Sequence, residues 1–166
     1  MASEIKVDTI VNAGGDNDTG IDLATNDQIL LKVANATKLT MNSTGQTTIV
    51  GEGGTTTTNL QQGLAKVWVN FDGTASNAAS RDTFNVSGMT DNGTGNYTVS
   101  INNDMSNDDY SAQCTGRVQN GVDTTVLAPE DSGYATGSVQ VQSVKIANDQ
   151  LLDSNFGQVT IHGDLA

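Results

Sequence analysis

One stretch of the chain alternates between small or apolar and polar residues: Gly137-Ser138-Val139-Gln140-Val141-Gln142-Ser143-Val144-Lys145-Ile146. Because successive side chains of a β-strand point to opposite faces, this period of two predicts a strand with Val139 and Val141 on one face. Similar short runs extend outward from it and are separated by turn residues. Asn120-Gly121 is the strongest hairpin signal among them, since a type I′ turn needs a positive φ at both central positions. The pattern predicts an all-β chain.

The composition points the same way. The 166 residues include 22 Thr, 15 Val and 8 Ile, and these β-branched side chains fit pleated sheets. Disordered tails are usually charge-rich and poor in β-branched residues, and this chain is neither, since only 16% of its residues are charged. Residues 147–153 are the only tempting helix.

The chain divides into three zones. Residues 1–50 carry short β-type runs, none of which buries enough apolar surface to fold alone. Residues 51–63, GEGGTTTTNLQQG, are predicted to be a Gly/Thr linker, with a long hairpin loop inside one domain as the alternative. Residues 64–166 are predicted to form a compact β-sandwich or jelly-roll-like domain. Its predicted strands are residues 65–71, 83–87, 96–101, 111–119, 122–127, 138–146 and 157–162.

The charge balance excludes several classes of partner. The formal net charge is −12, with 19 acidic and 7 basic residues, and no two basic residues are adjacent. A nucleic-acid binder needs clustered Lys and Arg, and an anionic membrane surface would repel this chain. The longest apolar run is three residues, far short of the roughly 20 that a membrane helix needs. We therefore expect no nucleic-acid partner and no membrane insertion.

The residues that most often carry chemistry are sparse. Cys114 is alone, so it can form neither an intrachain disulfide nor a cysteine metal cage. His162 is the only histidine, and no G-x-S-x-G motif accompanies it. Aromatic residues make up 4%, too few for the stacking groove of a polysaccharide-cleaving enzyme. We expect a protein without enzymatic activity and without a cofactor.

Two acidic clusters leave cation binding open as an alternative. One consists of Asp16, Asp18 and Asp22, and the other of Asp104, Asp108 and Asp109. The first fails the EF-hand template because its sixth position is Ile21, where a glycine is required. Asx turns explain both clusters without a metal, so we predict no metal site.

Two parts of the sequence resemble bacteriophage fibre proteins. Residues 30–51, LLKVANATKLTMNSTGQTTIVG, resemble a module of tail fibres in which a two-stranded hairpin, a Ser/Gly turn and a third strand follow one another. Thr40 and Asn42 stand where that module usually has Arg and Asp. Residues 65–73, 81–87 and 90–99 resemble the head region of fibres from marine and cyanobacterial phages. A long repetitive shaft and a self-cleaving C-terminal chaperone domain, which many fibres have, are absent from the sequence.

The resemblance implies a virion protein that assembles as a homotrimer, with a short β stem followed by the sandwich-like head. Residues 1–50 would attach to other virion proteins. The start of the chain has no signal peptide, so the protein would be made in the host cytoplasm. The expected interface residues are Leu30, Val33, Leu39, Ile49 and Trp68.

The same resemblance implies a short tail fibre or adhesin that contacts the host cell surface. A capsid decoration or head-fibre protein is the alternative, and an enzyme acting on surface polysaccharide or an unrelated secreted adhesin are the remaining ones. A host surface glycan would be held by the turn-rich loops of the head, residues 72–82, 90–96 and 102–110. The predicted contacts are Tyr97, Asp108, Asp109 and Tyr110.

Overall fold

Strands account for nearly all of the regular structure. A computed structural model describes residues 6–12, 18–51, 53–75, 77–117 and 125–166. The prediction of an all-β chain is confirmed. The chain divides into two compact units, residues 1–63 and residues 64–166, and each is considered by itself.

The N-terminal unit contains one antiparallel sheet of six strands arranged in chain order. The strands are β1 (Thr9–Val11), β2 (Gly20–Asp22), β3 (Gln28–Val33), β4 (Ala36–Asn42), β5 (Thr47–Val50) and β6 (Thr57–Asn59). A 3₁₀ turn, Gln61–Gly63, follows β6. Both β6 and this turn lie in the segment that we expected to be a linker, and β6 pairs with β5.

Local chemistry explains the tight connections of this sheet. Between Val33 and Ala36, which pair across β3 and β4, Ala34 and Asn35 have φ values of 53° and 57°. Two consecutive positive φ angles give the turn whose twist matches antiparallel strands. Between β4 and β5, the Asn42 carboxamide oxygen accepts hydrogen bonds from the backbone N–H of Thr44 and Gln46 at 3.2 and 2.9 Å. These turns set the register of the meander.

The C-terminal unit is a sandwich of two four-stranded antiparallel sheets. Its strands are β7 (Val67–Asp72), β8 (Ala79–Phe84), β9 (Val86–Gly93), β10 (Asn96–Ile101), β11 (Ser111–Arg117), β12 (Thr125–Ala135), β13 (Ser138–Lys145) and β14 (Phe156–His162). One sheet has the order β12-β13-β10-β9 and the other β11-β14-β7-β8. The first and last strands of the unit, β7 and β14, pair at the centre of the second sheet. The β-sandwich predicted for residues 64–166 is confirmed.

The core of this unit lies between the two sheets, as strict alternation requires. Every second residue of β7, β10, β13 and β14 is buried. Val139 and Val141 point inward, as the alternation in residues 137–146 predicts. The rings of Phe71 and Tyr97 meet edge to face across the two sheets, with centroids 5.0 Å apart. The core therefore joins both sheets of the sandwich.

The sandwich has one strand more than the sequence predicts. The predicted strand 83–87 is two strands, because the chain turns at Asn85, whose φ is 57°. The Asn85 side chain holds this corner: its Oδ1 accepts a hydrogen bond from the backbone N–H of Asn103 at 2.8 Å, and its Nδ2 donates to the carbonyl of Lys66 at 3.1 Å. Asparagine tolerates the left-handed conformation better than most residues.

Three other local predictions have different outcomes. Residues 147–153 form turns and an isolated bridge rather than a helix, and Asp149 has a φ of 57°. Asp131-Ser132-Gly133 has a composition that predicts a turn, but it lies within β12, whose register with β13 shifts between Pro129 and Tyr134. The predicted hairpin turn at residues 120–121 lies outside the described residues.

Gly157 provides a direct test of the packing between strand and core. A Cβ at Gly157 would overlap the ring of the fully buried Phe71, whereas a Cβ at Gly88 in β9 would meet open space. Overpacking a core costs about 1–3 kcal/mol. We expect Gly157→Ala to lower the free energy of unfolding of the sandwich by about 1–3 kcal/mol. Denaturant titration followed by the fluorescence of Trp68 measures this change. Gly88→Ala is the matched control and should not destabilise the sandwich; equal losses in both variants would contradict the packing.

Candidate assembly surface

A row of apolar side chains crosses the N-terminal sheet. The Cα register pairs Ile10 with Ile21, Ile21 with Leu31, Leu31 with Leu39, and Leu39 with Ile49. Residues that pair directly across antiparallel strands lie on the same face of the sheet. The register therefore places five large apolar side chains side by side over five strands. With about 4.8 Å between strands, the row is roughly 19 Å long.

Three more apolar side chains extend this row along the strands. Ile29 pairs with Met41 one step to one side, and Val33 lies on the same face of β3. We call the whole set the apolar face of the N-terminal sheet: Ile10, Ile21, Ile29, Leu31, Val33, Leu39, Met41 and Ile49. Five of its members are exposed, with Ile10 at 53%, Val33 at 50% and Met41 at 45%, and the other three are half-buried. The apolar face is thus uncovered in the chain.

The opposite face of the sheet is mostly polar. It carries Asp22 and Lys32, whose side chains form an ion pair, together with several threonines. The hydrogen bond from Lys32, followed by one from the backbone of Ala24, lowers the pKa of Asp22 below its usual range. The sheet is therefore two-sided in chemistry, with one face suited to water and one suited to burial.

The N-terminal unit has no core in the part of it that is described. Among residues 6–12, 18–51 and 53–63, no side chain is buried. The sandwich, in contrast, buries fourteen apolar residues. A sheet with one apolar face is stable only when that face packs against another layer. The apolar face is therefore the candidate assembly surface of this unit.

The structure brings together three of the five interface residues that the sequence predicts. Val33, Leu39 and Ile49 all lie on the apolar face. Leu30 lies on the opposite face, because it pairs with Thr40 and is adjacent in sequence to Leu31. Trp68 is half-buried in the central strand β7 of the second unit.

Sequence reasoning missed the other members of the apolar face. These are Ile10, Ile21, Ile29, Leu31 and Met41. The signal that could have found them is the parity of each strand: in Gln28–Val33, residues 29, 31 and 33 share one face. The row across the strands depends on register, which the turns set and the composition does not reveal.

One predicted receptor contact, Tyr97, is wrong because its side chain is fully buried. The Tyr97 hydroxyl donates a hydrogen bond to the Asp153 carboxylate at 3.1 Å and accepts one from the backbone N–H of Ser154 at 3.1 Å. Burial raises the pKa of Tyr97 well above its usual range. The residue joins the core to the segment before β14 and cannot meet a receptor.

The second aromatic contact, Tyr110, needs the same correction. It is only 7% exposed, and its hydroxyl oxygen lies 2.8 and 3.1 Å from the carbonyls of Ser138 and Ala135, both within reach of its single hydrogen. Burial raises the pKa of Tyr110 to about 12. The neighbouring Asp108 and Asp109 are exposed, so only these two predicted contacts lie on the surface.

The described residues give no support to a metal centre. In the described ranges, no group of three or more His, Cys, Asp or Glu side chains could hold a metal ion. Asp16, part of the first acidic cluster, lies outside those ranges. The Nδ1 of His162 lies 3.1 Å from the Gln113 side-chain oxygen. His162 pairs with Ser111 in the register of β11 and β14, so this side-chain contact joins two neighbouring strands.

Comparison with family models, with curated proteins and with solved structures finds no match for this chain. In the part of the chain that the structure describes, no helix has the length and apolar character needed to cross a membrane. We therefore infer a function from the surface of each unit.

Cys114 offers a test of the packing around β11. It is partly buried against the core of the sandwich, and burial raises the pKa of its thiol from 9.0 to about 11. At pH 8 this lowers the thiolate fraction about a hundredfold, and the thiolate is the reactive form. We expect the native protein to react with a disulfide reagent about a hundredfold more slowly than the denatured chain. Equal rates in the two states would contradict the burial.

Proposed function

We propose that the protein is a non-enzymatic virion fibre protein of the bacteriophage tail-fibre type. Its N-terminal sheet assembles with further copies and attaches the fibre to the particle, and its sandwich is the head that contacts the host surface. The observation that carries the proposal is the uncovered apolar face of Ile10, Ile21, Leu31 and their neighbours.

The size of this face supports assembly. The five strands that carry the row span roughly 19 Å, and Ile29 to Val33 span roughly 13 Å along β3, so the apolar face covers roughly 250 Å². Exposed apolar patches of a few hundred Å² often mark interaction sites. Packing against the same face of another copy would bury it, as sheets do at a spacing of about 10 Å.

The number of copies in the proposal comes from the fibre resemblance, which implies a trimer. Three sheets can enclose their apolar faces around one axis and leave the polar faces outside. The formal charge of such a trimer is three times −12, or −36. This charge favours an arrangement in which the acidic side chains stay in water and the uncharged apolar faces meet.

The sandwich supports the second part of the proposal. It has fourteen buried apolar residues of its own, so its fold does not depend on the N-terminal sheet. A rigid head of this kind can present loops and outer sheet faces to a partner. Asp108 and Asp109, in the segment before β11, remain predicted contacts because they are exposed.

Light scattering on the purified protein tests the assembly directly. We expect a particle of three times 17.2 kDa. Leu39→Asp places a carboxylate on the apolar face and should shift the particle to a single chain, since a buried unpaired charge is strongly unfavourable. Thr40→Asp places the same carboxylate in the same strand on the opposite face and should leave the assembly intact.

A single chain for the unmodified protein would overturn the proposal. Two copies would keep the assembly surface and overturn the fibre-type trimer. Dissociation in both variants would mean that charge, rather than the apolar face, controls assembly.

Electron microscopy of labelled virions tests the location of the protein. We expect density at the tail, with the sandwich distal. Density spread over the capsid would replace the tail adhesin by the decoration or head-fibre alternative, and particles without the protein would overturn the virion assignment altogether.

A further inference from the structure

The outer face of the sheet β11-β14-β7-β8 carries an exposed aromatic ring beside both arginines of the chain. Phe156, at the start of β14, is 47% exposed. The guanidinium carbon of Arg81 lies 4.5 Å from the centroid of its ring. Arg117 pairs directly with Phe156 across β11 and β14. In a chain of net charge −12, both guanidinium groups thus lie next to one exposed apolar ring.

The two arginines differ in how they are held. The Arg81 guanidinium donates to the carbonyl of Phe71 at 2.8 Å and pairs with the Asp72 carboxylate at 2.7 Å. Its charge is therefore balanced, and it fixes the Phe156 ring from one side. Arg117 is exposed, and among the described residues no carboxylate forms an ion pair with it. Arg117 is thus the group that can meet an anion from solution.

A buried serine fixes the two strand ends that carry these groups. The Oγ of Ser154, a fully buried residue, accepts a hydrogen bond from the backbone N–H of Arg117 at 3.0 Å. The same oxygen lies 3.1 Å from the carbonyl of Arg117 and 3.0 Å from that of Phe156, within reach of its single hydrogen. The backbone that carries Arg117 and Phe156 is therefore held in one conformation without a ligand.

The two residues line a pocket that opens to solvent. Its volume is about 330 Å³, and its lining consists of Thr115, Gly116, Arg117, Phe156 and Gln158. This volume is at the small end of ligand sites. The lining combines one aromatic ring, one guanidinium, one carboxamide and one hydroxyl, and the Thr115 hydroxyl already donates to the Gln158 side-chain oxygen at 3.1 Å. The Nε2 of Gln158 is a further donor.

We propose that this pocket binds a sugar that bears a carboxylate. The Phe156 ring stacks on the apolar face of the sugar, the Arg117 guanidinium pairs with the carboxylate in its two-pronged geometry, and Gln158 bonds a hydroxyl. A neutral sugar would leave Arg117 unused, and a small inorganic anion would leave the aromatic ring unused. The role of the pocket as a receptor subsite rests on the proposed function. The affinity of the pocket for the sugar in solution does not depend on that function.

Titration of the full-length protein by nuclear magnetic resonance tests the site with glucuronic acid, glucose and inorganic phosphate as probes. We expect glucuronic acid to bind at least about tenfold more tightly than either other probe, with shifts at residues 115–117 and 156–158. Arg117→Gln and Phe156→Leu should each weaken glucuronic acid at least about tenfold, since a charge-assisted hydrogen bond and a stacked ring are both lost. Lys38→Gln, which removes one exposed positive charge from the N-terminal unit, is the matched control and should bind normally.

Each other result overturns part or all of the proposal. No binding of glucuronic acid, or equal binding by Arg117→Gln, overturns the site. If glucose binds as tightly as glucuronic acid, the pocket does not recognise the carboxylate. If phosphate binds as tightly as glucuronic acid, the pocket does not recognise the sugar. The site can be confirmed in solution while particles carrying Arg117→Gln still adsorb to host cells normally. In that case the pocket binds the sugar but is not a receptor subsite.

Discussion

A β-sheet with one apolar face needs a second layer, and this requirement governs the N-terminal half of the protein. Backbone hydrogen bonds can join six short strands into a sheet, but they leave the side chains of Ile10, Leu31 and Met41 exposed to water. The free energy that stabilises most domains comes from burying such side chains. Because the described part of this unit buries none of its residues, we propose that contact with other copies stabilises it.

The C-terminal half satisfies the same requirement within one chain. Its two sheets face each other, and the inward residues of β7, β10, β13 and β14 fill the space between them. Close packing then restricts which residues particular positions can carry. One such position is Gly157, which lies against the Phe71 ring. A sandwich of this kind can present the outer faces of its sheets to a partner. The pair Phe156 and Arg117 shows how sparse aromatic and basic residues can still be concentrated in one place.

The strands were the most predictable feature because alternation is a local property. Residues 96–101 were predicted with the bounds that β10 has. The burial of Tyr97 could also have been predicted, since it shares the parity of Val99 and Ile101 within β10. Its position in a turn-rich loop region instead suggested exposure. The break at Asn85 depends on contacts with Asn103 and Lys66, which are distant in the sequence.

The functional surfaces were harder to predict, because they depend on which residues the fold brings together. Leu30 and Leu31 are equivalent by composition, and only the register separates the polar face from the apolar one. Arg81 and Phe156 come from strands far apart in the chain, and nothing in either segment indicates that they meet. The acidic clusters, in contrast, are conspicuous in the sequence, but among the described residues no three His, Cys, Asp or Glu side chains are grouped so that they could hold a metal ion.

Thermal unfolding over about a thousandfold range of protein concentration tests most directly whether the N-terminal sheet is stabilised by other copies. Trp68 is the only tryptophan and reports on the sandwich, whereas far-ultraviolet circular dichroism reports on both units. A fold that depends on association melts at a temperature that rises with concentration. We expect a β-sheet transition with this dependence that is distinct from the fluorescence transition of the head. If every transition stays at the same temperature across the range, the N-terminal sheet is stable without other copies and the account is wrong.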